Sequence, residues 1–188
     1  RRWTGEGEHL ASVESYDPRE GIWREEPPMR VPRAGLGVAA MDGRIFAVGG
    51  SEYTQQRIYA TGGGGCVLKS MESLQPAMAA GARWVAGPEM EWPRNFLSLV
   101  AMHDRLWAIG GHDQAKIPLA FVESLDPLTD DAWRSEARLR EARARLAAVC
   151  VRGSGILAMG GVDILHHATE TVEFYSPHAG RRSSPSSG

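Results

Sequence analysis

Short apolar runs, each closed by turn residues, follow one another along the whole chain. Gly35 to Ala40, Phe96 to Met102 and Arg145 to Val151 are apolar at nearly every position, the pattern of a strand covered on both faces. Each leads into a tight turn, Asp42-Gly43, His103-Asp104 or Gly153-Ser154-Gly155, and Asp-Gly between apolar runs is a strong hairpin signal. A second run follows: Ile45-Phe46-Ala47-Val48, Leu106-Trp107-Ala108-Ile109 or Ile156-Leu157-Ala158-Met159. Every second run ends in a glycine pair, Gly49-Gly50, Gly110-Gly111 or Gly160-Gly161, where positive φ releases the chain from strand geometry. Alternating third runs are Val13-Glu14-Ser15-Tyr16, Met71-Glu72-Ser73-Leu74, Val122-Glu123-Ser124-Leu125 and Val172-Glu173-Phe174-Tyr175. A tryptophan lies on a fourth strand after a turn such as Asp17 to Gly21. The expectation is an all-β protein built from four-stranded units.

Spacing turns the pattern into a repeat. Trp23, Trp84 and Trp133 each stand 10 residues before Arg33, Arg94 and Arg143, and the glycine pair begins 16, 16 and 17 residues after the arginine. From that glycine to the next of Glu72, Glu123 and Glu173 the intervals are 23, 13 and 13, so one connection carries extra residues, near Glu52 to Gly65. Glu14 begins the series. The stretch from Arg134 to Ala148 has a helical composition, which the repeat overrides.

A unit of about 50 residues with an apolar-aromatic-x-apolar-Gly-Gly run, then Val-Glu-x-Tyr-Asp-Pro, Trp and Pro-Met resembles the kelch repeat, one blade of a β-propeller. The closest stretch runs from Pro32 through Gly50, and the resemblance covers residues 13 to about 177. It departs where Phe46, Trp107 or Leu157 replaces the tyrosine before the glycines and where Leu74 or Leu125 replaces the tyrosine after Glu. The resemblance implies about three to four blades of four-stranded antiparallel sheets forming a partial ring. The expected divisions are a lead-in at 1–12, a partial blade at 13–29, blades at 30–90 (with an inserted loop at 52–65) and 91–140, a partial blade at 141–178 and a disordered tail at 179–188. Such a slice implies either a fragment of a longer ring or several copies assembling to bury the open faces.

Up-and-down strands send the connection between strands two and three and the connection between blades to one face. Kelch domains that capture peptides commonly use this face, with arginines at the start of the inner strands holding carboxylates. Carried over by position, Arg145 matches such an arginine while Gly35 and Phe96 do not, which implies a different ligand. The forked guanidinium of Arg145 and the anchor Phe96 are therefore candidate partner-binding residues, together with Gly35, His112, Asp113, Asp163 and His166. The recurring Trp, Glu and Arg residues are expected to be scaffold: the tryptophans filling gaps between blades, Glu and Arg pairing or capping backbone amides at the junctions.

Charge and composition remove other classes. With 21 Lys and Arg against 23 Asp and Glu, the net charge is −2, which leaves no basic footprint for nucleic acid. No run is long enough for a membrane span or a signal-peptide core, so a cytoplasmic setting is expected. Cys66 and Cys150 have no close spacing and are expected as free thiols. Gly62 to Gly65 lacks the Lys-Ser/Thr of a phosphate loop. His166-His167 with His112 and Asp163 lacks a second close-spaced ligand pair, and no cofactor is expected. Function is read as a non-catalytic module for a protein or peptide partner. By resemblance it is a substrate receptor of a BTB-kelch or F-box-kelch cullin-type ubiquitin ligase, actin-binding scaffolds being another family context. The alternative is a propeller enzyme of the galactose oxidase or sugar-acid isomerase kind, for which Tyr59, Cys66 and His112 offer no selective spacing.

Overall fold

The computed structural model describes residues 9–52, 66–75, 82–151 and 154–176. Strands in chain order are β1 (Val13–Asp17), β2 (Ile22–Glu26), β3 (Gly37–Met41), β4 (Arg44–Val48), β5 (Ser51–Glu52), β6 (Cys66–Val67), β7 (Met71–Leu74), β8 (Val85–Gly87), β9 (Ser98–Met102), β10 (Arg105–Ile109), β11 (Val122–Leu125), β12 (Arg134–Ser135), β13 (Ala147–Val151), β14 (Gly155–Met159) and β15 (Val172–Tyr175). They form antiparallel sheets β1-β2, β3-β4-β7-β8, β9-β10-β11-β12 and β13-β14-β15, with a small β5-β6 hairpin. No helix occurs among the described residues, including Arg134 to Ala148. Inner strands β3, β9 and β13 lie side by side, the radial arrangement of propeller blades. The tetraglycine, most of the inserted loop, the first eight residues and the expected tail lie outside the described residues.

Apolar runs without alternation follow from sheets packed on both faces. On β4, Phe46 and Val48 face the β9–β12 sheet with Leu97, Leu99, Leu106, Ala108 and Leu125. Their neighbour Ala47 instead joins Leu74 and Trp84 against Val13 and Met29 of the preceding unit. On β10 the same division sends Trp107 and Ile109 toward Leu146, Ile156 and Ala158. Period-two geometry thus assigns every second residue to a different junction.

The hairpins obey their turn chemistry: Asp42-Gly43 and His103-Asp104 all have φ between 50° and 68°. Two of the three tryptophans fill junctions. Trp84 donates its Nε1–H to Pro27 O at 2.9 Å and Trp133 to Pro88 O at 3.0 Å, both nearly buried. Trp23 departs from the expectation: it is 66% exposed, and its ring meets the Tyr16 ring at 5.2 Å. Its counterparts bond to acceptors 57 and 45 positions earlier in the chain.

Arginine and glutamate close each unit from within. Arg33 Nη2 donates to Glu72 Oε1 at 2.7 Å, Arg143 Nη2 to Glu173 Oε1 at 2.7 Å, and Arg94 Nη2 to Glu123 Oε1. The Nη1 groups donate to the carbonyls of Gly49 and Ser70, Gly110 and Phe121, and Gly160 and Thr171. Each carboxylate also accepts from a backbone amide just ahead of its arginine: Arg30, Glu91 and Arg140 at 2.8, 2.9 and 2.7 Å. Glu14 is the exception, exposed and without an arginine partner among the described residues.

The first glycine of each pair explains its own identity at Gly110, where φ is +60° and an added Cβ would sit 2.6 Å from Arg143 O. At Gly160 φ is again +60°, yet the nearest atom is 3.9 Å away. Gly160→Ala is expected to cost only left-handed strain, about 1–2 kcal/mol. Gly110→Ala adds overpacking of roughly 1–3 kcal/mol, so urea denaturation should rank Gly110→Ala as clearly the more destabilised.

Candidate functional site

Three equivalent residues open the inner strands: Gly35, Phe96 and Arg145, with φ of 64°, 51° and 59°. They form a stair around the axis, Phe96 N–H donating to Gly35 O at 2.6 Å and Arg145 N–H to Phe96 O at 2.8 Å. Because of these left-handed residues the regular strands begin two positions later than the apolar runs, at Gly37, Ser98 and Ala147. Glycine adopts such a φ freely; a side chain there carries strain of about 1–3 kcal/mol. Two blades nevertheless carry Phe and Arg where the first carries Gly.

Those two side chains touch. The Arg145 guanidinium carbon lies 4.5 Å from the centre of the Phe96 ring, and the His112 ring packs on Phe96 at 5.2 Å. Gly35 lies beneath, where an added Cβ would press the Phe96 ring at 3.1 Å. Around the group is a cavity of about 280 Å³, lined among others by Phe96, Arg145, His112, Asp113 and His166. Five of the seven candidates from sequence thus share one wall. Gly35 is a platform rather than a wall.

Asp163 is separated from the cavity. Its Oδ1 accepts from Leu165 and His167 N–H at 2.8 and 2.9 Å, holding its own loop, and it borders a different cleft with Glu141 and Thr169. Asp113 is used likewise, accepting from Ala115 and Ile117 N–H, both at 2.9 Å. The loops are matched copies, with Lys116 and His166 at equivalent left-handed positions, φ 63° and 61°. With Asp113 turned onto its own backbone, the cationic side chains lining the wall are Arg145 and Lys116, beside the rings of His9, His112 and His166. An anionic group has complementary charge there.

His112 is buried, and that burial pulls its pKa below 6.5; Arg145 adds to the effect while the bond to Asp113 opposes it. Its Nδ1 lies 3.2 Å from Asp113 O, which can only accept, so the neutral ring carries its proton on Nδ1 and leaves Nε2 as an acceptor. Residues that sequence reasoning did not single out include Asn95, His9 and Val67. Asn95 was detectable, since it replaces Ala34 and Ala144 of the other repeats. Its Oδ1 is buried with no hydrogen-bond partner among the described residues. Val67 belongs to the β5-β6 hairpin, which leans over from the extra connection and donates to Gln114 Oε1 at 2.8 Å.

Of the residues considered for redox chemistry, Tyr59 lies outside the described residues, and Cys66 is an exposed free thiol on β6. Cys150 is also a free thiol. Among the described residues no group of three His, Cys, Asp or Glu side chains is placed to hold a metal.

Two outcomes are expected. Arg145→Gly relieves left-handed strain while losing stacking worth about 0.5–1 kcal/mol, so its stability should match wild type within about 1 kcal/mol. Arg145→Ala keeps the strain and should be the weaker of the two in denaturant titration. The lowered His112 pKa contributes stability that is complete above the unfolded value near 6.5. That contribution is lost as the pH falls through the lowered folded value, with a slope of at most about 1.4 kcal/mol per pH unit. His112→Asn should flatten this part of a stability profile between pH 7 and 5.

The family model described as "Kelch motif" matches residues 3–30. Beta-scruin of Limulus polyphemus is 29% identical over 154 residues, covering 80% of this chain and 15% of that protein. Kelch-like ECH-associated protein 1A of Danio rerio is 31% identical over 102 residues, 54% of this chain and 15% of that protein. Among solved structures, YjhT superposes with a TM-score of 0.73 at 13% identity, over 91% of this chain and 51% of that one, a likeness of fold. The chain therefore spans about one seventh of these two curated relatives and half of that propeller. Its sheets are the blades of a β-propeller, and its sequence is similar to those of kelch-repeat proteins.

Proposed function

We propose that this chain is a non-catalytic protein-interaction module that grips a partner peptide in the cavity at the inner-strand openings. An anionic group of the partner lies on Arg145, with Phe96 as the apolar wall and the loops of His112 and His166 at the rim. One observation carries the reading: a left-handed backbone position that glycine fills in the first blade is held by Phe96 and Arg145 in the next two. Strain retained where the repeat itself offers a relaxed alternative supports a role for those side chains in binding. The basic wall and the turned-in Asp113 set the sign of the ligand's charge. A relative whose name describes it as ECH-associated supports protein association as the general activity.

The finer reading is that the module serves as a substrate receptor of a cullin-type ubiquitin ligase, in the cytoplasm, through an adjoining BTB or F-box region. It rests on the kelch family alone.

Comparative pull-down tests the site. Immobilised wild type, Arg145→Gly and the opposite-face control Leu128→Ser, each checked for cooperative unfolding, are exposed to the same lysate. Proteins retained by wild type and by the control should be lost with Arg145→Gly. Equal recovery on all three removes the cavity as the binding site.

A further inference from the structure

Two of the sheets hold a glutamate carboxylate on a serine of their third strand. Ser124 Oγ on β11 donates to Glu136 Oε1 at 2.6 Å, and Ser15 Oγ on β1 donates to Glu26 Oε1, also at 2.6 Å. In the β9-β10-β11-β12 sheet a cation completes the group. Arg105 Nε and Nη2 donate to Ser124 Oγ at 3.1 and 3.0 Å, and Nη2 also donates to Asp130 Oδ2 at 2.8 Å. The hydroxyl accepts from the guanidinium and gives its own hydrogen to Glu136, so arginine, serine and two carboxylates satisfy one another.

The β3-β4-β7-β8 sheet keeps the arginine and the serine but lacks both acids. Arg44 pairs with Met41 as Arg105 pairs with Met102, and Ser73 faces Phe46 as Ser124 faces Trp107, so the positions are equivalent. Gly87 stands opposite Met71, where Glu136 bonds through its N–H to Val122 O. No Asp or Glu occurs from Gln75 to Pro88, the stretch that corresponds to the turn of Asp130 and the strand before Glu136. Among the described residues the side chains of Arg44 and Ser73 have no hydrogen-bond or ion-pair partner. Both line a cavity of about 240 Å³ together with Val85, Gly87 and Pro88. It lies at the hairpin end of β3 and β4, away from the inner-strand openings.

We propose that this cavity is a second binding site, for a carboxylate on a short carbon chain, the group that Glu136 supplies from within the neighbouring sheet. One carboxylate oxygen accepts from the Arg44 guanidinium and the other from the Ser73 hydroxyl, while Val85 and Pro88 cover the methylenes. The two donors that hold carboxylates in the equivalent sheet are present here with an open volume beside them, and a ligand completes the set. A free dicarboxylic acid and a glutamate side chain of a partner protein present the same group.

Glutarate and N-acetylglutamate amide, titrated separately into the nitrogen-labelled chain at constant salt, test the site and distinguish those two sources by which binds more tightly. At least one should move the Arg44 Nε–H and Gly87 amide resonances saturably, with a Kd on the order of 1–10 mM. Arg44→Gln should weaken that binding by about tenfold or more. Met71→Val with Gly87→Glu copies Val122 and Glu136, removes the Met71 Cε that an added Cβ at Gly87 would meet at 2.1 Å, and gives Ser73 a carboxylate of its own. This double variant should no longer bind either acid; its spectrum reports whether it is folded, and Arg44→Gln decides the matter if it is not. Shifts that grow without saturating, that persist in Arg44→Gln or in the folded double variant, or that inorganic phosphate produces equally well overturn the proposal.

Discussion

The buried arginine of each repeat holds the architecture together because it belongs to two sheets at once. Its main chain is seated on the preceding sheet through Leu10, Leu68 or Leu119, and its guanidinium is spent inside its own sheet on the glycine-pair carbonyl and the strand-three glutamate. The Arg33, Arg94 and Arg143 side chains are fully buried, so each needs a carboxylate; for Arg94 burial pushes the pKa down and Glu123 pushes it back up. Removing one member of such a buried pair costs about 3–5 kcal/mol, because the other is left charged and unpaired. The glutamate in turn caps the amides that precede the arginine, so the segment's path, its ion pair and its seat are one interlocked unit.

From that unit follows the separation of scaffold and site. Two residues beyond each arginine the chain must turn left-handed to enter the inner strand, and the hydrogen-bonded stair from Gly35 to Phe96 to Arg145 dictates the turn. The scaffold prescribes the backbone there and leaves the side chain free to vary, at a cost in strain. That position faces the loops between strands two and three, which bring His112 and His166 to the same cavity. Variation in a binding surface is thereby confined to residues on which the arginine–glutamate unit does not depend.

Much of this was readable in one dimension. Both-face apolar runs at Ile45 to Val48 and Leu106 to Ile109 announced strands sandwiched between neighbours, and the constant Trp–Arg–Gly-Gly spacing announced one unit made repeatedly. Less was readable at the site. That Arg145, Phe96 and His112 form one wall depends on residues 49 positions apart meeting around an axis, whereas Asp163, similar to Asp113 in its loop, faces a different cleft. The β5-β6 hairpin joins the wall through packing that no local pattern encodes.

Trp23 and Glu14 show where a repeat's pattern stops being sufficient. Their residue types match Trp84 and Glu123, and local chemistry places them on the same strands, yet both are exposed because burial is conferred by a neighbouring sheet. The sequence by itself determined what is local: strand period, turn chemistry, glycines at positive φ, and the residues able to form each ion pair. Tertiary structure alone decided which of those residues are buried and which meet at the cavity. Those outcomes depend on contacts between segments about fifty residues apart, and only folding brings them together.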